Sequence, residues 1–325
     1  MIGTRKGLSV VAGAAMAATL SALPAVAAPL TLAEIDLGTA ANYALVDLAH
    51  GTTLGWNSGP IAGNVLVGNG VNVSTSGGNN GGLTNGGVLS FDSSTICSPS
   101  PCGSGLQTPP PTMMVSGPTP ATSVTGAALA SANTVAANVA GATPDQTIAS
   151  IPNGTIAWNG NAATGIDLIA VTGNSGNPTF TLSGAANQYF VFDIQGTFSE
   201  NNPMTLSGIS PNHVLFVFTA ASGNVFSTSG GNSLEGTFLA TDGGAFQFSE
   251  LNLNGALIMG DSNRAGVAGG GDIQFVSGSK IPTFSPLIVP APSIGHGLLA
   301  FLAVGGMLFG PKLLERSKRR HSLAA

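Results

Sequence analysis

From Leu37 onward the chain alternates between short apolar runs and turns built from Gly, Ser, Asn and Asp. Val65-Leu66-Val67, Val71-Asn72-Val73 and Val88-Leu89-Ser90-Phe91 open the series. Leu168 to Val171, Phe180 to Ser183, Tyr189 to Ile194, His213 to Phe218 and Asn224 to Ser227 continue it. Gly236 to Ala240, Ala245 to Phe248, Ala256 to Met259 and Asp272 to Val276 complete it. Runs this short, bounded by Gly and Asn, predict β-strands with tight corners. Taking alternate runs, the centres Ile169, Val191, Phe216, Phe238 and Leu257 lie 22, 25, 22 and 19 residues apart. A near-constant period in this range marks a solenoid in which each coil buries its neighbour. A β-sandwich of regular hairpins is the alternative, and it would carry more charge and more aromatic residues on its outer faces.

One segment breaks the pattern. Between 122 and 140, Val124, Ala128, Ala132, Val135 and Val139 recur at helical spacing, with Leu129 and Ala136 widening the stripe. Gly141 and Pro144 supply the stop. This predicts one helix with a narrow apolar face, suited to lying along a sheet. Residues 98–120, rich in Pro, Ser and Thr, read as an irregular cap, and 282–292, with Pro282, Pro286, Pro290 and Pro292, read as an extended spacer.

The two ends are of another kind. Arg5 and Lys6 precede an apolar stretch to Leu23, and Ala25-Val26-Ala27 has the small-x-small form of a cleavage site. Residues 1–27 therefore read as a signal peptide, an uncleaved N-terminal anchor being the alternative. At the other end 293–314 is almost uncharged, and Ile294 to Leu314 would as a helix cross a hydrocarbon core of about 30 Å. Lys312, Arg316, Lys318, Arg319 and Arg320 follow, which places the tail 315–325 in the cytoplasm and residues 28–281 outside.

Charge changes the picture once the ends are set aside. Residues 28–292 hold 13 of the 14 acidic residues but only Arg264 and Lys280 of the 9 basic ones. Nucleic acid is excluded as a partner, since binding it takes clustered Lys and Arg. Cys97 and Cys102, in Cys-Ser-Pro-Ser-Pro-Cys, suit a small disulfide loop in an oxidising compartment; a metal site would need further ligands, and no histidine is near.

Catalytic chemistry is sparse. Between the two ends the histidines are His50 and His213, both at strand ends, where a structural role is the simpler reading. There is no Gly-x-Ser-x-Gly elbow, and Gly266 to Asp272 lacks the Lys-Ser/Thr of a phosphate loop. Trp56 and Trp158 stand alone and read as packing residues. Asp242, Asp261 and Asp272 lie in Gly-rich turns without the tandem nonapeptide of a calcium β-roll. No cofactor or metal is expected. What recurs is hydroxyl side chains near strands: Ser74-Thr75-Ser76, Thr179-Phe180-Thr181, Ser227-Thr228-Ser229 and Thr237, with one Thr-x-Thr, at Thr179 and Thr181.

Leu37-Gly38-Thr39-Ala40-Ala41-Asn42-Tyr43-Ala44-Leu45 resembles the opening of secreted bacterial ice-binding-like solenoid domains and of choice-of-anchor A domains. The segments Ile61 to Gly68, His213 to Phe218, Leu234 to Ala240 and Leu253 to Ile258 are similar to those that follow it there. Over roughly 37–281 the resemblance implies a mainly β fold, a discontinuous right-handed β-solenoid with one long helix packed alongside. The loop at Cys97 and Cys102 and the scarcity of threonine ranks depart from the ice-binding pattern. Val289-Pro290-Ala291-Pro292, the apolar stretch and the arginines resemble a PEP-CTERM sorting signal, with Ala291 where Glu is usual. That resemblance implies an exosortase-like processing enzyme as a partner, a retained membrane anchor being the alternative. The expected function is non-enzymatic: a solenoid displayed on the envelope for adhesion or matrix association, with extracellular polysaccharide as ligand, or an antifreeze-like protein with ice as ligand.

Overall fold

The computed structural model describes residues 28–289 except 50–51, 58, 69–70, 75–81, 86, 92–95, 99–111, 115–119, 220–222, 242–243, 261–271 and 277. The expected signal peptide, the sorting residues Pro290, Ala291 and Pro292, the apolar stretch 293–314 and the basic tail all lie outside these residues. So do His50, Cys102, Asp242, Asp261 and Arg264. Among the described residues no helix is long and apolar enough to cross a membrane.

The strands wind into a three-faced parallel solenoid. The first face runs Gln146–Ile148, Ile166–Val171, Tyr189–Ile194, Val214–Phe218, Ser233–Ala240, Asn252–Met259, Leu45–Asp47, Val65–Val67, Val88–Phe91 and Thr112–Met114. The second runs from Ser175–Gly176 through Phe198–Ser199, Gly223–Thr228, Gly244–Ser249, Ile273–Val276, Thr53–Trp56 and Asn72–Ser74 to Ile96–Ser98. Gly154–Ala157, Phe180–Ser183 and Met204–Ser207 form one end of the third face. Residues 233–235 and 252–254, Lys280–Thr283, Ile61–Ala62 and Leu83–Thr84 continue it.

On the first face Leu168 pairs with Val191, Val191 with Leu215, Leu215 with Thr237 and Phe238 with Leu257. The repeat is thus 23, 24, 22 and 19 residues, close to the period read from strand centres. Coil order is discontinuous in sequence. The last C-terminal coil docks on the first N-terminal one, Leu45 pairing with both Leu257 and Val65. The chain starts mid-solenoid, winds outward to Thr112–Met114, and is carried back by the helix to Gln146–Ile148, the opposite edge.

The helix spans Pro120–Gly141, wider by a residue or two at each end than the stripe alone predicts. Ala128, Ala132, Val135, Ala136 and Val139 are buried, with Val124 and Leu129 at the margin. They pack on the outward side of the first face, against Val46, Val191, Leu215, Val217, Leu239 and Ile258. Small side chains on the helix allow this close approach. Over these central coils both sides of the first face are therefore dry, which is why Ile166–Val171, Tyr189–Ile194 and Val214–Phe218 are buried at every position rather than alternately.

The interior is a column of phenylalanines. Eleven of the 15 in the chain are among its largest fully buried side chains. Phe192, Phe216 and Phe238 occupy equivalent positions on successive coils, with ring centroids 4.6 and 4.7 Å apart and planes within 9°. Phe226 stacks on Phe238 at 4.6 Å from the facing sheet. Two glycines turn the corner between the third and first faces. Gly236 has φ +115, and a Cβ on its register partner Gly255 would sit 1.8 Å from the Gly236 carbonyl oxygen.

Two segments differ from the sequence reading. Thr112–Met114, within the stretch read as an irregular cap, is a strand on Val88–Phe91. Its pairing satisfies an edge that apolar pattern alone does not announce. Residues 284–289 of the expected spacer lie along the solenoid: Leu287 is buried, Tyr189 Oη donates to the Ile288 carbonyl at 2.8 Å, and the Ile288 amide donates to the Asn212 carbonyl at 3.1 Å.

Phe216→Ala removes the middle ring of the stack and should cost about 3–5 kcal/mol of unfolding free energy. Gln274→Ala, on the solvent side of the second face, should stay within about 0.5 kcal/mol. Urea denaturation of both variants checks this; equal losses would show that the ring column is not what stabilises the coils.

Candidate functional site: two solvent-facing surfaces and a groove

The helix covers the central coils of the first face, and the second and third faces present outward ranks of polar side chains. Because coils stack in register, each outward position generates a rank of side chains running across the coils. Neighbours in a rank are about 4.8 Å apart, and successive outward positions along a strand about 6.7 Å apart.

On the second face one rank reads Gly176, Ser199, Ser227, Gln247, Gln274, Gly55 and Ser74. Its middle is an amide stripe. Asn224 Nδ2 donates to Gln247 Oε1 at 2.7 Å, and Gln274 lies across Gly55, where a Cβ would meet Gln274 Oε1 at 2.1 Å. Long amides between short serines make this surface uneven.

The third face carries a more regular array. Thr155 pairs with Thr181 and Thr181 with Thr205, while Ala157, Ser183 and Ser207 form the parallel rank. The hydroxyls of Thr181 and Thr205 are hydrogen-bonded at 2.6 Å. Thr155, Ala157, Thr205 and Ser207 are exposed, and Thr181 and Ser183 partly so. The inward neighbours Ile156, Phe180, Leu182 and Met204 are buried and hold the sheet to the core. The only hint in the chain is the tripeptide Thr-Ile-Ala at 155, recurring as Thr-Leu-Ser at 181 and 205. A search for Thr-x-Thr within a strand misses it, since the rank runs perpendicular to the strands. Thr179 precedes the paired strand Phe180–Ser183, its amide donating to Asn153 Oδ1 at 2.8 Å. Thr237, counted among the surface hydroxyls, is buried instead, with Oγ1 accepting from the Leu287 amide at 3.2 Å.

Beyond Thr205 the array stops at a groove of about 600 Å³ between Met204–Ser207 and residues 233–235. Leu206, Ile209 and Pro211 form its apolar side; Asn232, Ser233, Glu235 and Asn254 form the polar one. Asn254 bonds the Glu235 carboxyl, and the Ser285 hydroxyl donates to Asn254 Oδ1 at 2.9 Å. Glu235 Oε2 has no partner, and desolvation raises the carboxyl above the usual range.

The remaining titratable groups do not converge. Among the described residues no three His, Cys, Asp or Glu side chains gather as metal ligands. His213 stacks on Tyr189 at 4.3 Å, and burial pushes its imidazole pKa down. Asp272 Oδ1 accepts from the Thr53 amide at 2.7 Å. Trp56 is fully buried, its indole donating to the Gly59 carbonyl at 3.1 Å. Cys97 falls in a strand, Ile96–Ser98, paired with Asn72–Ser74, and its expected partner lies outside the described residues. Val289 packs at the edge of the helix-side cluster.

Burial raises the pKa of three carboxyls inside the solenoid, Asp167 among them and Asp47 and Glu200 most strongly. Burial pushes Asp47 up to about 8, helped by the nearby charge of Asp272 and opposed by the Ala49 amide. Burial pushes Glu200 up to about 7 against donation from the Asn202 and Asn201 amides. Asp47 and Glu200 each keep one oxygen without a partner.

The chain belongs to the family of ice-binding-like adhesive domains, which it matches over residues 34–275. Among curated proteins nothing matches it. Solved structures do. The ice-binding domain of a Shewanella frigidimarina protein superposes with a TM-score of 0.51 at 14% identity, over 80% of this chain and 100% of that one. An ice-binding protein from an Antarctic biological consortium gives 0.50 at 17%, over 81% and 95%. One from an Antarctic Flavobacteriaceae bacterium gives 0.50 at 20%, over 80% and 49%. At such identities these likenesses establish the fold alone.

Asp47 and Glu200 hold protons in the folded state that unfolded carboxyls release near pH 4. Their contribution is therefore full below about pH 4 and is lost as pH rises towards 7 and 8, at up to about 1.4 kcal/mol per pH unit for each extra bound proton. Melting temperature should fall between pH 4.5 and 8.5, and Asp47→Asn should flatten the decline. A wild-type curve that is level or rises over that range contradicts the assignment.

Proposed function

We propose that the chain is an exported, non-enzymatic envelope protein that presents its solenoid for adhesion or for association with extracellular matrix. The observation that carries this reading is the outer surface of the third face, a registered Thr/Ser array ending in a polar groove, on a domain of an adhesive-like family. Short hydroxyl and amide groups presented at fixed spacing engage extended, hydroxyl-rich surfaces through many weak contacts, and affinity accumulates by multivalency.

In this reading residues 1–27 direct export. Val289, Pro290, Ala291 and Pro292, the apolar stretch 293–314 and the basic residues Lys312, Arg316, Lys318, Arg319 and Arg320 hold or sort the protein at the membrane. An exosortase-like enzyme would act at that segment. A Cys97–Cys102 disulfide would close a small loop.

A second reading, ice binding, is favoured by one specific observation: the in-register threonines Thr155, Thr181 and Thr205 with small residues in the adjacent rank. Its support also comes from solved proteins of the same fold that are named for ice binding.

Deleting 289–325 should release the protein to the medium and lower attachment and biofilm. Normal attachment by cells lacking the whole protein would sink the adhesive reading. Thermal hysteresis and ice-recrystallisation inhibition separate the second reading. Activity abolished by Thr181→Tyr would assign ice to the third face, and absence of activity in a folded sample would remove ice as ligand.

A further inference from the structure

Resting on the adhesive reading, we propose that the third-face groove between Met204–Ser207 and residues 233–235 is a binding cleft for a neutral polysaccharide, taking one or two sugar units at a time. Three observations point to this chemistry. First, the cleft has the two-sided character that a pyranose ring demands. Leu206, Ile209 and Pro211 offer a non-aromatic apolar wall for the C–H face, while Asn232, Ser233 and Glu235 stand opposite for the hydroxyls. Second, the carboxyl group is held and left wanting a donor. Asn254 fixes it from one side, Ser285 fixes Asn254, and Glu235 Oε2 is without a hydrogen-bond partner. A carboxylate oxygen kept from water without a donor costs free energy, and a sugar hydroxyl supplies that donor after a small side-chain shift.

Third, charge selects the class. Glu235 is the charged residue of the cleft, and Lys280, the one lysine or arginine among the described residues, stands two strands away, past Asn252 in the same rank as Ser233. Uronic or sulfated polymers would meet an uncompensated carboxylate, whereas uncharged glycans would not. Peptides are disfavoured because the cleft, polar along one whole side, is not the apolar pocket that an anchoring side chain takes. No aromatic side chain lines the cleft, so it lacks the aromatic platform that gives high single-site affinity. Weak, repeated engagement suits a surface protein present in many copies.

Affinity electrophoresis of the exported full chain in gels containing dextran, mannan or a β-1,3-glucan tests this, with alginate as the anionic comparison. Retardation is expected in at least one neutral polymer and not in alginate. Ile209→Trp, which fills the cleft, should weaken it at least tenfold. Glu235→Gln should weaken it severalfold with an unchanged melting temperature. Retardation unaffected by both variants but lost in Thr181→Lys would move the contact to the threonine array and overturn the cleft while leaving adhesion intact. Alginate binding as tight as that of the neutral polymers, or protein-dependent attachment that disappears when the target surface is treated with protease, would overturn the ligand class. Normal attachment without the protein defeats the adhesive reading itself, an outcome distinct from any of these.

Discussion

The structure depends on parallel, in-register stacking of successive coils. Register is what brings Phe192, Phe216 and Phe238 face to face, and it is what aligns Thr155, Thr181 and Thr205 on the outside. A slip of one residue in any coil would turn its phenylalanine outward and its threonine inward, because strand side chains alternate with a period of two. Core and surface are therefore not independent choices. A hydrophobic error at either would propagate to the other.

The same stacking explains the discontinuous order. Leu45–Asp47 lies between Val65–Val67 on one side and residues 257–259 on the other, so two halves separated by some two hundred residues share one ladder. The helix solves the connection. It returns the chain to the far edge and at the same time covers the apolar outer side of the first face, which would otherwise be a large exposed patch. The second face presents an uneven stripe of amides and serines, and the third a rank of short hydroxyls interrupted by a groove. Residues 284–289 lie over the corner of the solenoid with Leu287 buried, so this segment is fixed to several coils at once.

Local pattern carries much of this. Strand positions, the coil period and the helix, down to Ala128, Ala132, Val135 and Val139 as its buried stripe, are legible because alternation and 3.6-residue periodicity are local properties. The strand at Thr112–Met114 was not, since it is defined by a partner edge and sits among prolines. The Thr155–Thr181–Thr205 rank was nearly invisible for a related reason. Its members are about 25 residues apart, and their adjacency exists only after the coils have stacked. Thr237 shows the converse: a hydroxyl in a strand reads as surface until a distant segment, here Leu287, is laid over it.

The sequence by itself determined an acidic, aromatic-poor chain of short strands with one helix, and its near-constant period favoured a solenoid over a β-sandwich, because short apolar runs at a constant period can bury themselves on one another. It also determined which chemistry is scarce, because a side chain that is absent cannot be assembled by folding. Tertiary structure alone decided which residues face the ligand. The groove beside Glu235 arises where two neighbouring strands of the third face part, and the orphaned carboxyl oxygen there depends on Asn254 and Ser285 arriving from later coils. Such a site is a property of spacing between coils, and no stretch of the chain contains it.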